Sequence, residues 1–106
     1  MYVKFNTSRE GLRASLHGEI DHHSAVIARA DIDAEIDRVR PKTLLLDLSD
    51  ISFCDSSGLG LVMDRLRKMN TRGGTAVVVN PSDRVEKVLR LAGMDSLMTI
   101  RKDDEK

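Results

Sequence analysis

The stretch Asp47-Leu48-Ser49-Asp50-Ile51-Ser52-Phe53-Cys54-Asp55-Ser56-Ser57-Gly58-Leu59-Gly60 gathers hydroxyls and carboxylates between an apolar run and a helical pattern. In parallel α/β sheets, ligands sit beyond the carboxyl ends of the strands, where this loop is expected. A helix N-terminus offers unpaired amide N–H groups and the positive end of the dipole, a setting that accommodates a phosphate. The plainer reading is that Asp55, Ser56 and Ser57 cap the helix and do nothing more. Enzyme patterns fail on the same residues. Gly58-x-Gly60 resembles part of a dinucleotide fingerprint, but Met63 holds the third glycine position, and no Gly-Lys-Ser/Thr follows as a phosphate loop requires. A hydrolase elbow needs a glycine two residues before its serine, where Ser56 has Cys54. A Ser-His-Asp set would have to recruit His17, His22 or His23 through the fold.

Asp21-His22-His23 invites a metal reading, yet adjacent helical residues diverge by about 100°, whereas ligands sharing a face sit three or four apart. No further ligand is evident, so a solvated helix start is expected and no metal. Cys54, after a Phe53 read as buried, is expected to be a small core residue. The acids between Glu19 and Asp37 read as a solvated helical face, with a basic partner as their second use.

Composition narrows the setting for this chemistry. A chain of 106 residues fits one domain. Its apolar fraction is 41% and its only aromatics are Tyr2, Phe5 and Phe53, so the core must be aliphatic. Seventeen acids balance seventeen bases, which argues against nucleic-acid binding and against a polybasic membrane module. One cysteine cannot form an internal disulfide or a cysteine-based zinc site. No apolar run reaches the ~18–20 residues that span a bilayer, and the first residues lack the apolar stretch of a signal peptide. A cytoplasmic, soluble domain without cofactor or membrane contact is expected.

The elements that would position the loop follow from periodicity. Tyr2, Val3 and Phe5 open a strand, Asn6–Gly11 supplies a turn, and Leu12, Ala14 and Leu16 alternate with polar residues until Gly18 breaks the pattern. Ala25, Ala28, Ile32, Ile36 and Val39 fall at helical spacing, capped by Ser24 or Asp21 and ended by Pro41. Thr43–Leu48 is a near-continuous apolar run, as expected of a strand covered on both faces. A second helix buries Leu59, Val62, Met63, Leu66 and Met69, with Arg65 on its polar side, and stops at Gly73-Gly74. Thr75–Val79 forms the next strand. Ser82 caps a third helix that buries Val85, Val88, Leu89 and Ala92, pairs Glu86 with Arg90 and stops at Gly93. Leu97–Ile100 completes the series. The order β-β-α-β-α-β-α-β predicts an α/β fold: a mixed sheet of about five strands, an antiparallel hairpin followed by parallel strands, packed with about three α-helices.

Gly18-Glu19-Ile20-Asp21-His22-His23-Ser24-Ala25, followed by Asp55-Ser56-Ser57-Gly58-Leu59-Gly60, resembles the bacterial anti-sigma-factor antagonists of the STAS-domain family, in particular their sporulation branch. The resemblance runs from Tyr2 to Ile100. It implies one STAS domain over residues 1–100, with 101–106 as a charged, frayed tail. It also implies a switch rather than an enzyme. The unphosphorylated antagonist binds an anti-sigma factor that is also a serine kinase, and so releases a sigma factor to activate transcription. The kinase then phosphorylates Ser56 and ends binding, and a PP2C-type phosphatase resets the protein. On this reading Asp21, His22, Asp55, Ser56, Ser57, Gly58 and Leu59 form the partner-binding face, Ser57 caps the helix, and the free protein is a monomer. Members usually continue into a further C-terminal helix, whereas this chain ends soon after Ile100 in Arg-Lys-Asp-Asp-Glu-Lys.

Two other classes share parts of the pattern. A receiver domain would use Asp55 as phosphoacceptor, but it needs a lysine after a later strand, where Val79 is followed by Asn80-Pro81. A STAS scaffold or nucleotide-binding module, not regulated by phosphorylation, has the same fold.

Overall fold

The computed structural model describes residues 1–103. Strands β1 (Tyr2–Thr7) and β2 (Leu12–Ile20) form an antiparallel hairpin closed by reciprocal Ser8–Gly11 backbone hydrogen bonds. Helix α1 (His22–Val39) leads to β3 (Thr43–Cys54), α2 (Ser56–Thr71) to β4 (Thr75–Val79), and α3 (Asp83–Leu91), with a short 3-10 turn at Met94–Ser96, to β5 (Thr99–Arg101). The strands lie in chain order, β2 to β5 mutually parallel. Right-handed crossovers between successive strands in that order place all three helices on one face.

Register shows which side chains meet them. Leu12 pairs with Leu44 and Leu44 with Ala76; Ala14 pairs with Leu46, Leu46 with Val78, and Val78 with Ile100. These residues join Ala25, Ala28, Ile32 and Ile36 of α1, Leu61, Val62, Leu66 and Met69 of α2, and Val85 and Leu89 of α3 in one aliphatic core. Leu45 and Val79 are buried on the opposite face. There they share the surface with an ion network in which Arg13 donates to Asp47 at 2.9 Å and to Asp103 at 3.0 Å. Arg101 donates to Asp103 at 2.7 Å and to Glu10 at 2.5 Å.

The structure corrects several boundaries. Gly18 does not end β2. It sits at φ +115°, a backbone conformation open to glycine, between two register shifts, and the strand runs on through this irregularity to Ile20. Likewise β3 continues to Cys54, so the polar residues after Leu48 are strand rather than loop. The turn of the first hairpin is shorter than expected, because Asn6 and Thr7 pair with Arg13 and Leu12. Phe53 is exposed (44%), and Ala92 is exposed as well. Arg65 is buried on the α1 side of α2, where its Nε lies 3.0 Å from Oδ1 of Asp33. Leu97 precedes the last strand, and Arg101 belongs to it. Asp103, expected in a frayed tail, is held by two arginines and by its own amide donating to Asn80 Oδ1 at 2.7 Å. Residues 104–106 of that tail lie outside the described residues.

Candidate functional site

Ile20 and Cys54 are the last paired residues of β2 and β3. The chain leaves both strands side by side, and the next residue in each case, Asp21 and Asp55, is the N-cap of a helix. The juxtaposition of the two helix starts is therefore set by strand register. Gly58 locks them together: a Cβ there would lie 2.4 Å from Cys54 Sγ and 3.2 Å from Ile20 Cγ2, so α2 approaches both strand ends only without a side chain at that position.

The caps differ in form. Asp21 accepts from the Ser24 amide at 2.9 Å while Ser24 Oγ accepts from the Asp21 amide at 3.0 Å, a reciprocal capping box. The choice left open between Asp21 and Ser24 is thus settled: Asp21 caps and Ser24 returns the bond. That backbone bond from Ser24 holds the Asp21 carboxyl below the usual range. In α2 it is Asp55 that caps, accepting from the amides of Ser57 at 2.8 Å and Gly58 at 3.3 Å. Ser57, expected as the cap, is instead the second helical residue, because β3 runs to Cys54 and delivers Asp55 to the cap position.

This arrangement separates the two serines. Ser56 is the first helical residue and is exposed, and its hydroxyl has no hydrogen-bond partner among the described residues. Ser57 is half-buried and faces α1 across a groove of about 180 Å³ lined with His22, Ala25, Arg29, Gly60, Leu61 and Asp64. Asp21 and His22 are exposed, Asp55 is half-buried, and Leu59 packs partly against the core. A phosphate arriving on Ser56 would find the Ser57 and Gly58 amides already bonded to Asp55. It would gain the dipole of α2 and little else.

Cys54 is buried, as expected of a core residue, and burial together with Asp55 pushes its thiol up to about 11, leaving it uncharged at neutral pH. No three His, Cys, Asp or Glu side chains cluster as a metal site among the described residues. Sequence reasoning missed the half-exposed apolar side chains beside the site, Val26 (48%), Ile27 (51%) and Phe53. Their signal was available for α1, since Val26 and Ile27 fall outside the 25-28-32-36 spacing of the buried stripe.

The fold is an α/β sheet in strict chain order, with two capped helix starts abutting at its carboxyl edge and an exposed serine at the first position of one of them. The chain belongs to the STAS-domain family, whose model matches residues 7–106. It is 37% identical over 91 residues to the anti-sigma F factor antagonist of Lysinibacillus sphaericus, covering 86% of this chain and 78% of that one. The solved structure of the anti-sigma factor antagonist SpoIIAA in its unphosphorylated form superposes with a TM-score of 0.83 at 31% identity, over 98% of this chain and 90% of that one. The phosphorylated form of SpoIIAA, the Bacillus cell fate determinant, superposes with a TM-score of 0.76 at 30% identity, over 98% and 93%.

Proposed function

We propose that this protein is an anti-sigma-factor antagonist of the sporulation type that works by partner switching in the cytoplasm. Its unphosphorylated form binds an anti-sigma factor with serine kinase activity and frees a sigma factor for transcription. Phosphorylation of Ser56 by that kinase ends the binding, and a PP2C-type phosphatase restores it. Asp21, His22, Asp55, Ser56, Ser57, Gly58 and Leu59 make up the contact face. The observation that carries the reading is the Ser56 hydroxyl, exposed at the first position of α2 with no hydrogen-bond partner among the described residues and so open to another protein's active site. Support comes also from the relative solved in both phosphorylation states.

The test is incubation with ATP and the cognate anti-sigma factor, followed by phosphopeptide mapping. Modification is expected on Ser56, and Ser56→Ala should remain in the binding state and displace sigma factor. Phosphate on Ser57, or an alanine variant unable to displace sigma factor, would overturn the assignment.

A further inference from the structure

The two glycines at the start of α2 stand in opposite situations. Gly58 is explained by contact, since a side chain there would strike Cys54 and Ile20. Gly60 is not: a Cβ at Gly60 would meet nothing within 4 Å, and its backbone lies outside the left-handed region. A glycine inside a helix weakens it relative to alanine, and no close contact among the described residues requires one at Gly60. What Gly60 does is line the groove between α1 and α2, together with Ala25 and Leu61.

The groove's size and charge narrow its occupant. Its volume of about 180 Å³ is below the ~300–1,000 Å³ of small-molecule pockets, so it is scaled to a single side chain rather than to a nucleotide. Of the two charged residues lining it, Asp64 is engaged by Arg67 at 3.3 Å, whereas Arg29 is exposed and forms no ion pair among the described residues. Val26, 48% exposed, lies one turn before Arg29 and is an apolar neighbour for an incoming chain.

We propose that this groove receives one aliphatic side chain of the anti-sigma factor, with a neighbouring carboxylate of that partner paired to Arg29, and that Gly60 decides whether the side chain can enter. The inference rests on the partner reading above and locates within it a receptor distinct from the Ser56 hydroxyl. Arg29, exposed and without an ion pair among the described residues, is the charge that a partner acid would neutralise, and Ser57 and His22 of the proposed contact face line the same groove.

The experiment measures affinity of the purified protein for the purified cognate anti-sigma factor by calorimetry, with thermal unfolding alongside, for wild type, Gly60→Ala, Gly60→Leu and Arg29→Glu. Gly60→Leu should fold with an unfolding midpoint no lower than wild type and bind at least about tenfold more weakly. Gly60→Ala should raise the midpoint and weaken binding by less than Gly60→Leu, since a methyl group takes up only part of the space. Arg29→Glu should also bind at least about tenfold more weakly, with a reduced salt dependence. A folded Gly60→Leu that binds like wild type overturns the groove assignment. Should the leucine variant fail to fold, wild-type affinity of Arg29→Glu overturns it instead. If wild type itself does not bind the anti-sigma factor, the parent reading falls, and that outcome is distinct from a groove that proves irrelevant to a real complex.

Discussion

At the scale of single residues, the start of α2 divides its labour among neighbours of similar chemistry. Asp55 satisfies two amides at the helix start, Ser56 faces solvent, and Ser57 turns toward α1. Removing the cap should therefore matter more than removing the serine after it. Asp55→Ala is expected to lower stability by about 0.5–2 kcal/mol, and Ser57→Ala to change it by a few tenths at most, both measured by urea unfolding. Equal losses would mean that the hydroxyl shares the capping. Asp21→Asn should keep the fold, because an asparagine oxygen can accept the same Ser24 amide, while affinity for the anti-sigma factor drops. An Asn variant that unfolds, or that binds like wild type, would remove Asp21 from the contact face.

Between elements, α1 and α2 are joined by charges of unequal burial. Asp37 pairs with Lys68 at 3.2 Å and with Arg72 in the open, where screening leaves little net gain. Asp33 and Arg65 meet inside: the Arg65 side chain is 5% exposed, and burial lowers the affinity of its guanidinium for a proton. The 3.0 Å approach of Arg65 Nε to Asp33 is an ion pair without a well-formed hydrogen bond, since the N–H does not point along it. Arg65 therefore draws most of its charge compensation from Asp33, with a smaller share from Asp64. Asp33→Ala should destabilise by on the order of 2–3 kcal/mol, tempered by the 30% exposure of Asp33. Arg65→Met, which removes the buried charge and keeps the volume, should fall within about 1 kcal/mol of wild type. A methionine variant less stable than the Asp33 variant would show that Arg65 stabilises through contacts other than its pairing with Asp33. The packing of α2 on the strand ends gives a second check. Gly58→Ala should cost about 1–3 kcal/mol, because Cys54 and Ile20 cannot move without disturbing the β2–β3 pairing.

Over the whole molecule, the question is how far a phosphate on Ser56 is felt. It would arrive on a hydroxyl with no hydrogen bond to break among the described residues, next to amides already bonded to Asp55, so little in the fold has to rearrange. The added charge of ≈ −1.5 to −2 would stand beside Asp21 and Asp55 and act on an approaching surface. Amide shifts between the two forms should cluster at residues 21–24 and 54–60; changes spreading to Val77 or Val88 would mean a conformational switch instead. Acid has the opposite reach. Carboxyls distributed over the surface are held below their usual range: Asp21 by Ser24, Asp37 by Lys68, Glu86 by Arg90, and Asp103 by Arg101. A lowered folded-state value stabilises above the unfolded-state value, and that contribution is lost as pH falls through the folded one. Urea midpoints should hold from pH 7 down to about pH 5 and then decline progressively below about pH 4. High salt should flatten the decline, since these pairs are exposed. A midpoint unchanged at about pH 3 would show that the pairs add nothing.

Much of the fold was legible because local pattern and tertiary outcome coincide here. The 25-28-32-36 spacing became the buried stripe of α1, the apolar run from Thr43 became the central strand, and Ser82 caps α3 as its chemistry dictates. Order alone gave a mixed sheet, since strands separated by helices must run parallel. The motif at Asp55–Gly60 was legible as a helix start with a family likeness. What sequence could not decide were matters of neighbours. Gly18 reads as a breaker until the pairing of β2 with β3 carries the strand through it, and the polar residues after Leu48 read as loop until the same pairing makes them strand. Arg65 reads as a surface cation until α1 brings Asp33 against it. Which of Asp55 and Ser57 caps α2 depends on the angle at which β3 delivers the chain, and hydroxyls and carboxylates cap about equally well in isolation. Residue type and spacing determined which groups could recognise a partner; the register of two parallel strands decided which of them stand together.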